Sequence, residues 1–213
     1  MVSKIIGLAG KKGAGKDAAA TALVAGGWVR TAFGDPLKEE VAAAFGISVD
    51  VLNNRDLKET PLPSLALVNC SDIGFVSEMG WGADPHMARS PRWVMQQWGT
   101  EYRRKQLDGY WVSRTVSKIK ELVKAGKSVV VTDARFKDEA DAIRNMGGTL
   151  VQVIRPNNPF ESGNEQHASE TSMTHYPFDF VLYNNGTEAG LCASMLDVAN
   201  APLVPSGCAN LGD

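Results

Sequence analysis

Short apolar runs alternate with longer stretches of helical period along this chain. Ile5-Ile6-Gly7-Leu8-Ala9 has the length of one buried strand. The alanine-rich run Ala18–Val24 favours helix, and Gly26-Gly27 stops it. Trp28–Ala32 reads as a second strand. Asp35-Pro36 reads as cap and first helical position for a helix from Leu37 to Phe45, closed by Gly46. Ser48–Asn54 reads as a further short turn of helix. Ser90-Pro91 restarts helix by the same logic. Beyond it Met95, Trp98 and Tyr102 form an inward stripe, and Arg92, Gln96, Gly99 and Arg103 form a polar one with a glycine gap. Val112, Val116, Ile119 and Val123 mark an amphipathic helix closed by Gly126. Ser128–Thr132 is the clearest strand. A helix over Lys137–Met146, a strand over Thr149–Ile154, a strand over Asp179–Tyr183 and a helix from Thr187 to about Ala199 complete the pattern. Strands alternating with helices predict an α/β protein of three layers, α/β/α, with a mostly parallel sheet and helices on both faces.

Two regions escape periodicity. Residues 55–90 hold Pro61, Pro63, Gly74, Gly80, Gly82 and Pro85 and read as a long irregular insertion, which in a compact domain is usually functional or mobile. Residues 155–177 are polar and loop-like, placed between two strands where a lid belongs. From Asn157 to Tyr176 this segment contains no lysine or arginine. Cations for a reaction must then come from fixed elements: Lys12, Lys16, Arg135 and Arg155. The expected organisation is one domain over 1–200 and a flexible tail over 201–213.

Composition narrows the class. The 213 residues carry a net charge of −2, so no global field draws nucleic acid or a membrane surface. The 3 cysteines lack CxxC spacing, which fits a reduced cytoplasmic protein without a disulfide frame or zinc site. The expectation is a cytoplasmic chain with neither signal peptide nor membrane span. A homodimer is compatible with the sequence. His167 and His175 lie near Glu165 and Glu170, but a metal site there is not favoured.

The stretch that organises the chain is Gly10-Lys11-Lys12-Gly13-Ala14-Gly15-Lys16-Asp17. Between a strand and a helix, this glycine spacing followed by lysine is a phosphate-binding P-loop. Glycines let backbone N–H groups turn toward a polyphosphate, and the helix start adds its positive dipole end. Lys16 would reach the β- and γ-phosphates. Asp17 stands where Ser or Thr usually binds magnesium. A carboxylate is also a hard oxygen ligand, so it keeps Mg2+ contact open, directly or through water. A strand ending at Asp133 is the second expected piece, since ligands sit at the carboxyl ends of such strands. Asp133 would hold magnesium or else cap the following helix. Arg135 and Glu139 are i, i+4 neighbours if helix has begun. From Arg89 to Arg114, arginines interleave with Trp93, Trp98, Tyr102, Tyr110 and Trp111. They suit a mononucleotide pocket, a single-strand nucleic-acid channel, or solvated faces over an aromatic core. Arg92 and Trp111 lead the candidate ligands.

GKKGAGKD, DPLKEEVAAAFGI, LKETPL, SPRWVMQQWGTEYRRKQLDGYWV, VVVTDARFKDEADAIRNMGGTLVQVIRP and DFVLYNNGT follow one another in this order. With these segments the chain resembles the deoxynucleoside monophosphate kinases of tailed bacteriophages, a branch of the P-loop kinases, over roughly residues 4–200. Asp17 in the eighth loop position fits that family. The resemblance implies transfer of the γ-phosphoryl group of ATP, with Mg2+, to a 5′-(deoxy)nucleoside monophosphate. It implies that Gly13, Ala14, Gly15, Lys16, Asp17 and Ala18 wrap the ATP phosphates. It implies that Lys12, Lys38, Lys58, Arg92, Gly99, Thr100 and Trp111 surround the monophosphate, and that Asp133, Arg135 and Glu139 complete the centre. A P-loop kinase of another metabolite, such as a coenzyme precursor, and a nucleic-acid-binding P-loop ATPase are the alternatives.

Overall fold

The computed structural model describes residues 3–159, 173 and 176–201. Most of the lid-like loop and all of the tail beyond Ala201 lie outside the described residues. Five strands form one sheet: β1 (Ile5–Ala9), β2 (Val29–Thr31), β3 (Val129–Val131), β4 (Thr149–Ile154) and β5 (Phe180–Tyr183), in the order β2-β3-β1-β4-β5. Every pairing is parallel, and Gly7 of the central strand lies opposite both Val131 and Leu150. Parallel neighbours need crossover connections, which is why strands and helices alternate.

Contacts divide the chain into two compact units. One takes in residues up to Phe33 and from Thr115 onward; the other is Gly34–Arg114. The first contains the sheet. Helices α1 (Lys16–Ala25) and α8 (Glu188–Asn200) cover one face, where Ile6, Leu8, Val130, Val151 and Val153 meet Leu23, Leu191 and Met195. Helix α7 (Lys137–Asn145) covers the opposite face. There Ile143 lies so close that a Cβ on Gly7 would stand 2.5 Å from its Cδ1, so a larger residue at position 7 requires the Ile143 side chain to shift. Burying each such Leu or Ile contributes about 1.5–3 kcal/mol. Helices on both faces of a parallel sheet are the three-layer arrangement that the alternation predicts.

The second unit is helical. It contains α2 (Asp35–Phe45), α3 (Val49–Asn53), α4 (Ile73–Met79), α5 (Pro91–Gln96), a π-helix over Gln97–Arg104 and the start of α6 (Tyr110–Lys124). Its own core joins Val41, Phe45, Leu52, Leu65, Leu67, Phe75, Val94, Trp98, Tyr102 and Trp111. Aromatic rings pack at its centre, with Phe75 and Trp98 at 4.6 Å and Trp98 and Tyr102 edge to face at 5.6 Å. Such pairs add about 0.5–1.5 kcal/mol to burial.

Three local expectations change. The N-cap of α2 is Gly34, so Asp35 and Pro36 both sit in the first turn, where a missing proline N–H costs nothing. The stretch 55–90 holds α4, capped by Asp72, whose carboxylate accepts the Phe75 N–H at 2.9 Å. It also sends Leu65, Leu67 and Phe75 fully into the core. Short elements with three buried side chains are too brief to display a period. Past Gln96 the α-helical spacing fails, because the π-helix has a wider turn. Trp98 and Tyr102 stay buried as expected, but Arg103 leaves its polar stripe and folds over both rings.

Candidate active site

In the sheet-containing unit, β1 runs into a loop shaped by three positive-φ glycines: Gly10 (145°), Gly13 (78°) and Gly15 (105°). A Cβ on Gly10 would lie 2.3 Å from the Val153 carbonyl oxygen, and one on Gly15 would lie 2.6 Å from Asn184 Nδ2. Only glycine allows both the conformation and the approach. Lys16 opens α1 and folds back over the loop. Its Nζ donates to the Gly10 carbonyl at 2.6 Å and to the Lys11 carbonyl at 3.0 Å. Ala14 is buried, whereas Lys12 and Asp17 are exposed.

Two asparagines brace this loop from neighbouring strand ends. Asn158, after β4, donates its side-chain N–H to the Lys12 carbonyl at 2.7 Å. Asn184, after β5, donates to the Ala14 carbonyl at 2.9 Å. Occupying loop carbonyls in this way fixes the peptide planes and leaves N–H groups for an anion. Neither asparagine was among the expected site residues. Their place just past the carboxyl ends of two strands was the available signal.

Asp133 follows β3. Its Oδ1 accepts the Phe33 N–H at 2.6 Å, while the next residue, Ala134, donates its N–H to the Leu8 carbonyl at 3.1 Å. Asp133 therefore stands at the carboxyl edge beside the strand that feeds the loop. It does not cap α7, whose N-cap is Phe136. That work falls to Glu139. Its Oε2 accepts the N–H of Arg135 at 2.8 Å and of Phe136 at 3.1 Å. Glu139 thus engages the Arg135 backbone, and the Arg135 side chain is exposed. Burial pushes the Glu139 carboxyl up to about 8, against the pull of those two N–H groups and reinforced by the charge of Asp133. With both N–H groups on one oxygen, Oε1 can carry the proton. Asp17 and Asp133 offer hard oxygens of the kind magnesium takes beside substrate phosphates. Among the described residues no group of three or more His, Cys, Asp or Glu could hold a metal unaided.

The helical unit gathers the remaining candidates. Arg92 is half exposed and its Nε donates to Glu59; its backbone N–H donates to the Lys58 carbonyl at 3.0 Å. Lys58, from the stretch without period, is thereby brought to Arg92. Lys38 donates to Asn53 Oδ1 at 2.8 Å. Thr100 is exposed. Gly99 and Trp111, expected at the monophosphate, lie inside the core. The Trp111 indole N–H donates to the Gly99 carbonyl at 3.0 Å, and the side chain is 5% exposed. The aromatic residues between Arg89 and Arg114 are thus largely the core that one of the three readings foresaw.

The sequence profile of deoxynucleotide monophosphate kinase matches residues 67–194. The chain belongs to the deoxynucleotide monophosphate kinase family. A putative deoxynucleotide monophosphate kinase of Acanthamoeba polyphaga mimivirus is 29% identical over 201 residues, covering 86% of this chain and 89% of the relative. The deoxynucleotide monophosphate kinase of Enterobacteria phage T4 is 31% identical over 100 residues, 46% of this chain and 40% of its own length. Among solved structures, a dephospho-CoA kinase from Campylobacter jejuni aligns with TM-score 0.49 at 11% identity, over 93% of this chain and 97% of its own. A sugar kinase from Janibacter sp. HTCC2649 aligns with TM-score 0.47 at 14% identity, over 96% and 97%. As a member of the deoxynucleotide monophosphate kinase family, the protein is a phosphotransferase acting on nucleoside monophosphates. Membership implies ATP and, typically, a divalent metal. Among the described residues no helix is long and apolar enough to cross a membrane.

Proposed function

We propose that this kinase transfers the γ-phosphoryl group of ATP to the 5′-phosphate of a deoxynucleoside monophosphate, yielding ADP and the deoxynucleoside diphosphate. The observation that carries the reading is Lys16, whose ammonium is held over the glycine loop by two of that loop's own carbonyls. A cation preset there neutralises charge on the transferring group with little reorganisation. The backbone of Gly13 to Ala18 would cradle the ATP phosphates. Asp17 and Asp133 would hold Mg2+, directly or through water, and the ion would supply charge neutralisation between the phosphates. Lys12 and Arg135 would add cations beside the loop. In the helical unit Arg92, Lys58 and Lys38 would take the acceptor phosphate, with Thr100 as a hydroxyl donor. Gly99 and Trp111 would support them from within, and Glu139 would hold the backbone from which Arg135 projects. Phosphoryl transfer asks for positioning and charge neutralisation more than covalent chemistry, and these residue types supply that.

Both units would serve one kinase, in the cytoplasm (that of the host if the chain is phage-encoded), with small-molecule partners and no nucleic acid. Sedimentation decides between monomer and homodimer. The test of function is ATP consumption with Mg2+ against a panel of deoxynucleoside and ribonucleoside monophosphates and coenzyme precursors. Turnover confined to the precursors, or driven by single-stranded DNA, would overturn it.

A further inference from the structure

One carboxylate outside the expected site gathers donors from two segments other than its own helix. Glu40 lies on α2 with its side chain 13% exposed. Its Oε2 accepts the Trp98 indole N–H and the Arg103 Nε–H, each at 3.1 Å. Its Oε1 accepts the Tyr110 hydroxyl and faces the Arg114 guanidinium at 3.6 Å. Arg103 continues the network to Asp72 at 3.0 Å, and Asp72 also accepts the Tyr102 hydroxyl at 2.8 Å. The Arg103 guanidinium lies 4.6 Å from the Tyr102 ring centre and 5.3 Å from that of Trp98.

The neighbours of these donors give the network its meaning. Glu40 shares α2 with Lys38. Trp98 immediately precedes Gly99 and Thr100 on the π-helix. Tyr110 immediately precedes Trp111, which returns its indole N–H to Gly99. Each segment that Glu40 ties down therefore carries a residue assigned to the acceptor. A largely buried carboxylate shared among ionic and neutral donors fixes geometry strongly, since losing it leaves several donors unpaired together.

We propose that Glu40 is the positioning residue of the acceptor side, locking the segments of Lys38, Thr100 and Trp111 into one arrangement and so setting affinity for the monophosphate without touching it. The inference rests on the functional reading above. Glu40→Gln keeps the volume but loses the charge and one acceptor oxygen. It should raise KM for the monophosphate roughly tenfold and leave KM for ATP within about twofold. Glu40→Asp should cost less and Glu40→Ala more. If Glu40→Gln does not fold, Tyr110→Phe removes a single donor and should shift the same KM about threefold.

A merely structural role would lower Tm while leaving both KM values of the folded enzyme in place. That result overturns the inference, as does an equal rise in both KM values. Arg92→Ala serves as the reference. If it raises KM for the monophosphate and Glu40→Gln does not, the inference fails alone. If the wild-type enzyme turns over no monophosphate, the functional reading fails and takes the inference with it.

Discussion

The loop at Gly10–Lys16 holds its shape through backbone: positive-φ glycines, carbonyls braced by Asn158 and Asn184, and one lysine turned inward. The helical unit holds its candidates through side chains, by way of Glu40, Arg103, Asp72 and a ring cluster. On the proposed function, the contrast follows from what each would bind. Every ATP presents the same phosphates, and a backbone cradle tolerates sequence drift around it. An acceptor must be recognised by particular side chains, and these need scaffolding that only other side chains supply. Substitutions should accordingly damage the two units in different ways.

The largest effect belongs to Lys16. Lys16→Ala should lower kcat by roughly 10² or more, because on the proposed function its charge would serve the transition state. Near-normal turnover in a folded variant would remove the loop from the mechanism. Gly10→Ala comes next. Its methyl would press on the Val153 carbonyl at a φ of 145°, so stability should fall by at least about 2 kcal/mol. Chemical denaturation reads this directly, and an unchanged midpoint would contradict the packing described. Arg92→Ala should raise KM for the monophosphate about tenfold and KM for ATP far less. Equal shifts would erase the functional distinction between the units.

The two units should also differ in their response to pH. The Glu139 carboxyl is raised from its ordinary 4.5 to about 8. Its contribution is fully present below pH 4.5 and is lost as pH rises through about 8, by at most about 1.4 kcal/mol per pH unit. Glu139→Gln should flatten that slope. In the helical unit, burial pushes the Asp72 carboxyl up but is outweighed. The Phe75 N–H, the Tyr102 hydroxyl and the Arg103 guanidinium hold it below its ordinary 3.8. That contribution is present above pH 3.8 and is lost as pH falls further. Hydrogen exchange should show residues 137–145 loosening toward alkaline pH and α4 loosening toward acid. Parallel loosening of both would defeat the comparison.

The sheet was legible because buried parallel strands are apolar throughout. Ile5–Ala9 needed only that signal and Gly10 after it, and Thr149–Ile154, apolar but for Thr149 and Gln152, needed Gly147-Gly148 before it. The loop was legible because a special backbone demands special residues at fixed spacing. What escaped depends on distant partners. Nothing local announces that Glu40 meets Trp98 and Tyr110, which stand 58 and 70 positions away. The π-helix kept an α-like spacing of apolar residues, so its wider turn was invisible. Trp111 illustrates the same gap: a tryptophan among arginines resembles a base-stacking residue until its N–H is seen bonded to Gly99. Roles for the lid-like loop lie outside the described residues.

The helical unit is one uninterrupted stretch of chain, Gly34–Arg114, with a core of its own. Gene rearrangement could therefore exchange it as a cassette, with two splice points and no loss of the sheet's strand order. On the proposed function, chimeras between relatives, each keeping its own glycine loop and receiving another's residues 34–114, would take KM for the monophosphate from the donor of the cassette and KM for ATP from the recipient.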